Sequence, residues 1–473
     1  MVWLPMTSLD LRGRDLVIIP AAEWLQRPTA ELLDQLFGAH LQTEVRASIG
    51  RDKRQHFLRT KPIHFKAVKH ALQQQQVPFT VAFDERPALP FVTSPGLQPR
   101  AYQEEALNCW LANGSAGVVV LPTGAGKTFV AALAIHAMKL WTLAVVPTID
   151  LLQQWRAALS SALSLRADDI GVFGGGDKDL QPITIITYDS AALYPRELRH
   201  FGLLIFDECH HLPAPTYRLI AESAFTPFRL GLSATPERSD MAHADLDELI
   251  GPEVYRRSPA ELTAGRYLAQ YQEIRIDVAL SSEDEARYAE QRHIYRSFLQ
   301  RRHIVIRSPE DFQQKLIFLS ARDAEARTAM LAWREARTIA MNSPAKYAEI
   351  EQLLWRHAAD QVILFSEYNA VVDGVSRRFC LPSITYKTPA EERRLILERF
   401  RTGQYSKLVT GRVLNEGVDV PDCRVAIIVS GNSTKREYIQ RLGRVLRPKT
   451  GQALLYELVT TGTTEEEMAR RRR

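Results

Sequence analysis

The sequence predicts an α/β fold with two parallel-sheet domains in tandem, a small α+β domain before them and a helical insertion between them. Residues 117–139 form an apolar run, a glycine-rich turn and a helical pattern. The apolar run 203–206 ends in acids, as a buried strand does when a ligand site lies at its carboxyl end. A second series of apolar runs follows at 361–366, 407–412 and 425–431. Strands that alternate with helices indicate a parallel sheet in each half.

The composition is that of an ordinary globular protein, and it excludes several classes. The 473 residues predict about three domains at ~150 residues each. A net charge of +5 permits a nucleic-acid partner without requiring one. No apolar stretch reaches ~18 residues and no basic start precedes an apolar run, so neither a membrane span nor a secretion signal is expected. The four cysteines are far apart, which favours a reduced intracellular protein over a disulfide framework.

Residues 1–94 differ in kind, because they are punctuated by prolines and contain no phosphate loop. The basic residues between 46 and 70 are Arg46, Arg51, Lys53, Arg54, Arg59, Lys61, Lys66 and Lys69, against Asp52 alone, with His56, Phe57, His64 and Phe65 interleaved. Basic charge neutralises phosphates and aromatic faces stack on bases, which predicts nucleic-acid binding. The alternative is a small α+β domain whose aromatics form its core. Both interpretations stay open. The stretch 93–100 is a Pro/Gly linker and marks the boundary.

The segment LPTGAGKT, residues 121–128, predicts a phosphate-binding loop. Glycines let backbone N–H groups crowd round phosphate oxygens, and the following helix N-terminus adds partial positive charge. Lys127 would contact the β- and γ-phosphates, and the Thr128 hydroxyl would bind Mg²⁺. Leu121 stands where such loops usually have their first glycine, so an ordinary turn before a core helix is the alternative. The later strand that ends in two acids favours the phosphate loop.

Further apolar runs predict the remaining strands of the first parallel sheet, at 142–147, 183–188 and 228–236. A helix is predicted after the first of these runs, over residues 148–163, and a loop is predicted after the second.

The stretch LLIFDECHHL, residues 203–212, is compatible with two kinds of functional site. Either Asp207 and Glu208 serve a nucleotide-driven motor, or the cysteine and two histidines that follow bind zinc. Adjacent histidines on an extended chain point in opposite directions, whereas zinc ligands must converge, so the zinc site is disfavoured. We interpret Cys209 as a small buried side chain and His211 as structural.

Residues 281–341 are charged, helix-prone and almost free of glycine, which predicts the helical insertion. Its arginine cluster consists of Arg296, Arg301, Arg302 and Arg307. The cluster is either a solvated face or a contact surface for nucleic-acid phosphates, and the charge pattern favours neither. The predicted boundaries are 1–94 for the N-terminal domain, 95–258 for the first parallel-sheet domain, 259–345 for a connector with the insertion, and 346–473 for the second.

The ordered set of motifs resembles superfamily 2 helicases, and within them the short prokaryotic form of the XPB family. The matching segments are PRAYQEEAL, LPTGAGKT, VVPTIDLLQQW, TYDS, FDECHHLPA, LGLSATPER, VLNEGVDVPD and REYIQRLGRVLRP. The resemblance covers nearly the whole chain. It implies two RecA-like motor domains, a thumb formed by the insertion, and a damage-recognition-like domain within residues 1–94.

The resemblance also implies ATP and Mg²⁺ as cofactors and assigns roles to particular positions. Nucleotide-binding positions are Arg100, Gln103, Thr123, Gly124, Ala125, Gly126, Lys127, Thr128, Gly417 and Asp419, with Thr128 and Asp207 as the metal-binding pair. Catalytic positions are Lys127, Asp207, Glu208, Gln440, Arg444 and Arg447. Glu208 would orient or deprotonate the attacking water, the two arginines would act as arginine fingers, and Gln440 with His210 would couple the motifs. DNA-contacting positions are Thr148, Thr187, Thr410, Arg238 and Asp240.

The expected activity is that of an ATP-dependent DNA helicase or translocase that serves DNA repair, moves 3′→5′ by resemblance and binds without reading sequence. The family's Arg-Glu-Asp triplet is Arg238-Ser239-Asp240 here. The serine favours an alternative, a DNA-stimulated ATPase that remodels protein–DNA complexes without processive unwinding. The expected partners are DNA and, as in archaeal members, a nuclease, and the expected location is the prokaryotic cytoplasm at the nucleoid. A scaffold with an inactive motor is disfavoured by the intact motifs.

Overall fold

The computed structural model describes residues 6–472, with gaps at 13–14, 22–23, 25–26, 53–56, 84–86, 92, 94–97, 196, 198–200, 237–241, 266–270, 307–308, 412–422 and 432–452. It divides into two compact units, Met1–Pro259 and Ala260–Arg473. No helix in the described ranges is both long enough and apolar enough to cross a membrane.

The first unit begins with a five-stranded sheet. Its strands are β1 (Thr7–Arg12), β2 (Asp15–Ile19), β3 (Gly50–Asp52), β4 (Phe57–Thr60) and β5 (Phe79–Val81), in the order β3-β4-β2-β1-β5. The helices beside it are α1 (Thr29–Phe37), α2 (Thr43–Ala47) and α3 (Phe65–Gln74). This confirms the small α+β fold predicted at the N-terminus.

The aromatic residues of the basic stretch are part of this small fold. Phe57 is 5% exposed and Phe65 is 3% exposed, and Phe65 packs in the hydrophobic core between sheet and helices. Lys61 forms an ion pair with Glu222 at 2.9 Å, and Arg59 pairs with Asp52. Buried rings cannot stack on nucleic-acid bases, so the structure favours the core interpretation for these two phenylalanines.

An eight-stranded sheet forms the rest of the first unit. Its strands are β6 (Ala116–Val120), β7 (Thr142–Val146), β8 (Ile170–Gly174), β9 (Asp177–Lys178), β10 (Ile183–Thr187), β11 (Leu203–Asp207), β12 (Arg229–Ser233) and β13 (Glu253–Arg256), in the order β13-β6-β12-β11-β7-β10-β8-β9. All neighbours are parallel except β8 and β9. The four strands predicted after the phosphate loop are therefore confirmed, and their carboxyl ends share one edge.

Helices of this first motor domain are α4 (Ala101–Ala112), α5 (Lys127–Met138), α6 (Ile149–Leu163), α7 (Tyr188–Leu193), α8 (Arg218–Glu222) and α9 (Leu246–Leu249). The helix predicted after β7 is confirmed as α6. The loop predicted after β10 is wrong, because α7 starts there directly. The Thr187 side chain accepts a hydrogen bond from the backbone N–H of Ser190 at 3.2 Å, so this threonine caps the new helix.

The second unit is built on a six-stranded, fully parallel sheet. Its strands are β14 (Tyr271–Val278), β15 (Val362–Ser366), β16 (Ser383–Ile384), β17 (Lys407–Thr410), β18 (Val425–Ser430) and β19 (Ala453–Thr460), in the order β14-β19-β18-β15-β17-β16. The three predicted strands of this domain, now β15, β17 and β18, are confirmed. One boundary needs correction: β14 lies inside the predicted connector 259–345, yet it pairs with β19 along its whole length.

Helices of the second unit are α10 (Pro259–Ala264), α11 (Ser282–Arg301), α12 (Pro309–Phe312), α13 (Phe318–Ser320), α14 (Ala324–Met341), α15 (Ala345–Arg356), α16 (Asn369–Phe379), α17 (Ala390–Arg401) and α18 (Thr464–Arg472). Helices α11 to α14 occupy the predicted insertion. Arg301 and Arg302 pair with Glu325 at 2.6 and 3.1 Å, and Arg302 also pairs with Asp323 at 2.8 Å. These acids balance the two arginines, which favours a solvated, ion-paired face at this end of the insertion.

Arg229, the first residue of β12, is a buried cation that donates hydrogen bonds to main-chain carbonyls of several neighbouring segments. It is 4% exposed. Its guanidinium donates to four carbonyl oxygens, those of Ala221 (3.0 Å), Ala224 (2.9 Å), Thr226 (2.9 Å) and Leu249 (2.6 Å). Ala221 and Leu249 lie in the last turns of α8 and α9, where carbonyls lack intrahelical partners. Burial lowers the pKa of Arg229 to about 10, so the group stays charged at neutral pH.

Replacing Arg229 with methionine is expected to lower the free energy of unfolding by at least about 3 kcal/mol, because four buried carbonyls lose their donor. The free energy of unfolding of Arg229→Lys should lie between those of the wild type and Arg229→Met, since one ammonium cannot reach four oxygens. Urea denaturation followed by tryptophan fluorescence measures the change. The control is Arg256→Met, which removes an exposed arginine and should change stability by less than about 0.5 kcal/mol. Equal midpoints for the two methionine variants would contradict the capping role.

Candidate active site

The predicted phosphate loop connects β6 to α5, and the position of its last glycine is unfavourable for other residues. Gly126 has φ +78° and is the residue that precedes α5. The positive φ favours glycine, and a Cβ at this position would lie 2.6 Å from Gln103 Nε2 and displace that carboxamide. Lys127 and Thr128 follow in the first turn of α5. The first N–H groups of a helix lack an intrahelical acceptor in general, and such an N-terminus suits an anion such as phosphate.

The start of α4 lies against this loop and brings to it the predicted residue Gln103 together with Tyr102, which had no predicted role. Tyr102 Oη donates to the Ala125 carbonyl at 2.7 Å, and Gln103 Nε2 donates to the same carbonyl at 3.1 Å. Gln103 Oε1 accepts from the backbone N–H of Arg100 at 2.9 Å. A carboxamide has two hydrogens and two oxygen lone pairs, so these bonds are compatible with the predicted adenine contact.

The acid pair lies at the same edge of the sheet as the loop. Asp207 ends β11, and Glu208 follows with φ 46°, ψ 53°, the left-handed conformation that non-glycine residues seldom adopt. Lys127 Nζ donates to Glu208 Oε1 at 3.1 Å. Since β12 lies between β6 and β11, this contact spans the edge and joins the phosphate loop to the acids.

The two acids of the pair have opposite electrostatic tendencies. Burial, with the charge of Glu208 second, raises the pKa of Asp207 to about 6. Burial also opposes ionisation of Glu208, but Lys127 and His210 outweigh it and lower the pKa of Glu208 to about 2. Glu208 is therefore ionised at neutral pH. The ionised form of Asp207 is one that a nearby cation would stabilise.

His210 connects the acid pair to the strand between it and the loop. Its Nδ1 lies 3.4 Å from Glu208 Oε2 and 3.3 Å from the hydroxyl of Ser233, the last residue of β12. Ser233 Oγ is itself 3.4 Å from Glu208 Oε2. The histidine is 1% exposed. It is therefore held where it can transmit a change at the end of β12 to Glu208.

The cysteine and histidines after the acids form a tight turn. Cys209 to His211 are a single turn of 3₁₀ helix, and the two imidazole centroids are 4.2 Å apart. The expectation of an extended chain with opposed histidines is wrong, because the left-handed Glu208 turns the chain. Cys209 is fully buried, as predicted, and burial raises the pKa of its thiol far above the usual range. Within the described ranges, no group of three or more His, Cys, Asp or Glu side chains could hold a metal ion.

The residues at this edge fit Mg²⁺ that arrives with a nucleotide. Thr123 Oγ1 and Thr235 Oγ1 are buried and make no hydrogen bond to the part of the chain that the structure describes. One belongs to the phosphate loop and the other follows Ser233 by two residues, so both are polar atoms left for a ligand. The Thr128 hydroxyl and the Asp207 carboxylate are hard oxygen donors, which Mg²⁺ prefers, and it usually keeps several waters besides.

The three threonines predicted to contact DNA each have a local structural role. Thr148 caps α6 by accepting from the backbone N–H of Leu151 at 3.4 Å, and Thr187 caps α7. Thr410 is fully buried at the end of β17. The capping pair still lies at the carboxyl edge of the first sheet, and the contact with DNA remains a prediction.

Several predicted site residues lie outside the described residues. They are Arg238, Asp240, Gly417, Asp419, Gln440, Arg444 and Arg447.

Two further residues at the site had no role in the sequence analysis. Trp155 Nε1 donates to Asp207 Oδ2 at 2.9 Å, and Tyr188 Oη donates to the Asp207 carbonyl at 3.0 Å. Both lie in segments that resemble family motifs, VVPTIDLLQQW and TYDS, but a motif does not show which acid its aromatic residue contacts. Trp155 lies on the predicted helix that follows β7, and Tyr188 directly follows β10, so both are near the carboxyl edge.

Two family comparisons cover most of the two motor domains. Residues 96–238 match the family "Type III restriction enzyme, res subunit", and residues 345–449 match the helicase conserved C-terminal domain. Among solved structures, the helicase domain of Pyrococcus furiosus Hef aligns with a TM-score of 0.56 at 18% identity, covering 80% of this chain and 98% of that one. This likeness shows the fold, two tandem RecA-like domains.

Closer relatives are found among curated proteins. The chain is 44% identical over 388 residues to the DNA 3'-5' translocase XPB2 of Sulfurisphaera tokodaii, which covers 82% of this chain and 87% of that protein. It is 33% identical over 386 residues to the DNA 3'-5' helicase XPB of Kineococcus radiotolerans, covering 79% of this chain and 62% of that longer protein. On this identity and coverage, the chain belongs to the XPB family of superfamily 2 helicases.

Proposed function

We propose that the chain is an ATP-dependent DNA helicase or translocase that moves 3′→5′ and opens DNA strands during repair. The observation that carries the proposal is the contact between Lys127 and Glu208 at 3.1 Å. It joins a glycine-rich phosphate loop to an ionised acid and to the buried Asp207 at one sheet edge. Phosphoryl transfer to water needs these three elements: phosphate neutralisation, a metal-binding carboxylate and a group that orients the nucleophile.

The residues divide the work of hydrolysis among them. Thr128 and Asp207 would hold Mg²⁺, which would supply positive charge to offset that of the phosphates. Lys127 exchanges its bond with Glu208 for the β- and γ-phosphates when a nucleotide binds. Glu208 is then released to orient the attacking water and to accept its proton. His210 keeps Glu208 aligned with Ser233. By family resemblance, Arg444 and Arg447 act as arginine fingers and Gln440 couples the domains.

DNA contacts are proposed for the backbone of one strand. Helix N-termini capped by threonine offer N–H and hydroxyl groups to phosphate, and such contacts hold the strand without reading its sequence. Thr148 provides such an end in the first unit, and contacts are also proposed for Thr187 there and for Thr410 in the second. The 3′→5′ direction rests on the names of the relatives, which are described as 3'-5' translocase and 3'-5' helicase.

The test is ATP hydrolysis with and without single-stranded DNA, followed by strand displacement on a 3′-tailed duplex. We expect strong stimulation by DNA and displacement of the tailed strand, with a 5′-tailed duplex as the control. No hydrolysis with any nucleic acid would contradict the motor function. Stimulated hydrolysis without displacement would favour the alternative, a DNA-stimulated ATPase that remodels protein–DNA complexes. Ser239, in place of the family's glutamate, is the observation in favour of that alternative.

A nuclease partner and action at the nucleoid of a prokaryotic cell are also proposed from the family alone. Hydrolysis by the isolated chain tests whether the motor needs the partner. If the nuclease is required for turnover, its addition should restore DNA-stimulated hydrolysis to a chain that is otherwise inactive.

A further inference from the structure

Asp207 accepts one hydrogen bond from each of two helices. An indole N–H contacts its side chain and a hydroxyl contacts its main chain. Trp155, on α6, donates its Nε1–H to the carboxylate oxygen Oδ2 at 2.9 Å. Tyr188, the first residue of α7, donates its hydroxyl to the Asp207 main-chain carbonyl at 3.0 Å. Both side chains are nearly inaccessible, at 2% and 1% exposure. The second carboxylate oxygen, Oδ1, accepts the backbone N–H of Glu208 at 3.1 Å, so a shift of Asp207 also reaches Glu208.

The hydrogen bonds of these two side chains have an effect beyond the packing of their rings. Tyr188 lies in the hydrophobic core of this domain, where an apolar ring of similar size would also fit, so packing alone does not call for its hydroxyl. An N–H group aimed at a buried carboxylate is a charge-assisted bond, and in a poorly hydrated place its loss is felt strongly. The Trp155 bond therefore sets the direction in which the carboxylate points, and the Tyr188 bond holds the main chain that carries it. The carboxylate is the predicted partner of Mg²⁺.

The same two helices begin at the threonines proposed to hold DNA phosphates. Thr187 is adjacent to Tyr188 in the chain. Thr148 precedes Trp155 by seven residues, about two turns and ~10 Å along a continuous helix. A phosphate seated at the start of α6 therefore acts on a helix that also contacts Asp207, through Trp155. The six-residue α7 is too short to form such a phosphate site at its start.

We propose that Trp155 is a positioning residue that couples DNA at the start of α6 to the orientation of Asp207, while Tyr188 holds the main chain of Asp207. The coupling rests on the proposed function, since it presupposes that DNA stimulates the motor. With DNA bound, α6 is held in one place, and the bond from Trp155 aligns Asp207 for the metal–nucleotide complex. Without DNA, small displacements of α6 misalign the carboxylate. By linkage, nucleotide then strengthens DNA binding by the same factor by which DNA strengthens nucleotide binding.

Trp155→Phe is the informative variant, because it removes the N–H and keeps an aromatic ring in the space. The matched control is Trp110→Phe. Trp110 is fully buried in the same unit, and its Nε1 donates to the Arg229 carbonyl at 2.9 Å, at the opposite end of β12 from the site. Both variants lose one buried indole bond and some ring volume. A general loss of stability therefore affects both, and thermal melting records it.

The coupling factor is measured at equilibrium, apart from turnover. It is the ratio of the Kd values for a labelled single-stranded oligonucleotide without and with Mg²⁺ and a non-hydrolysable ATP analogue, followed by fluorescence anisotropy. We expect Trp155→Phe to reduce this factor about ten-fold, the effect of one lost hydrogen bond to a charged group. Its Kd for DNA alone should stay within about two-fold of the wild type, since a buried indole does not touch DNA. Tyr188→Phe should act in the same direction, and Trp110→Phe should keep the wild-type factor.

The outcomes separate this coupling from the proposed function. A wild-type protein whose hydrolysis DNA does not stimulate overturns the proposed function, and the coupling with it. A stimulated wild type with an unchanged coupling factor in Trp155→Phe overturns the coupling alone. An equal loss in Trp155→Phe and Trp110→Phe also overturns it, because the effect would then be structural.

Discussion

Replacing Glu208 with glutamine is expected to reduce DNA-stimulated ATP hydrolysis by roughly 10²–10⁴-fold while ATP still binds. An amide keeps the size and the hydrogen-bonding oxygen, but it cannot accept a proton from the attacking water. Glu208 is ionised at neutral pH, because Lys127 and His210 lower its pKa to about 2 despite burial, and it becomes a stronger base once Lys127 turns to the phosphates. The variant also loses the ionic partner of Lys127 at 3.1 Å, which frees the lysine for phosphate. Nucleotide affinity should therefore be equal to or higher than that of the wild type.

Steady-state hydrolysis and equilibrium binding of a fluorescent ATP analogue test this together. Lys127→Ala is the comparison, since it should weaken nucleotide binding and hydrolysis alike. The matched control is Glu222→Gln, another shielded glutamate of the same unit, paired with Arg218 at 3.1 Å and Lys61 at 2.9 Å away from the acid pair. If Glu208→Gln hydrolyses ATP within about three-fold of Glu222→Gln, proton acceptance by Glu208 is excluded and another group must orient the water.

The strands that the sequence predicted are buried on both faces, although β8 and β19 are also buried and were not predicted. Runs such as 203–206 are apolar without interruption, because helices cover both sides of the central strands. The sequence did not predict the edge strand β14, because this strand has one open face and therefore no continuous apolar run. Its sequence, YQEIRIDV, alternates Ile274, Ile276 and Val278 with charged residues, as a strand with one open face does. Its partner in the described part of the sheet, β19, lies far along the chain, and no local pattern reveals such a pairing.

The site shows a similar division between residue type and geometry. Motif chemistry named Lys127, Asp207 and Glu208, because phosphate and metal restrict which side chains can serve. It did not reveal that Lys127 contacts Glu208, nor that Trp155 contacts Asp207, because these pairs are 81 and 52 residues apart in the chain. The turn of the two histidines was also missed. It depends on one left-handed residue, Glu208, and glutamate carries no local signal for that conformation.

Replacing Lys346 with methionine is expected to lower the free energy of unfolding of the second unit by roughly 3–5 kcal/mol. Lys346, at the start of α15, and Glu465, at the start of α18, are each 1% exposed. Lys346 Nζ lies 2.8 and 2.7 Å from the two oxygens of Glu465 and also donates to the Val429 carbonyl at 2.8 Å. Removing the lysine leaves a carboxylate buried without its counter-charge, which costs more than the pair itself contributes.

The double variant Lys346→Met/Glu465→Met separates the two contributions, because it removes both charges and fills the space with apolar atoms. It should recover most of the stability lost in the single variant, and hydrogen exchange of β18 and β19 with urea denaturation measures both. Val429 lies just before the end of β18, and the chain continues from there to Arg444 and Arg447. The single variant should therefore lose ATP hydrolysis before it unfolds, and the double variant should retain more. If the double variant is as unstable as the single one, the loss arises from packing or from the carbonyl of Val429. The ion pair would then be a consequence of how α15 and α18 meet and not the contact that holds them.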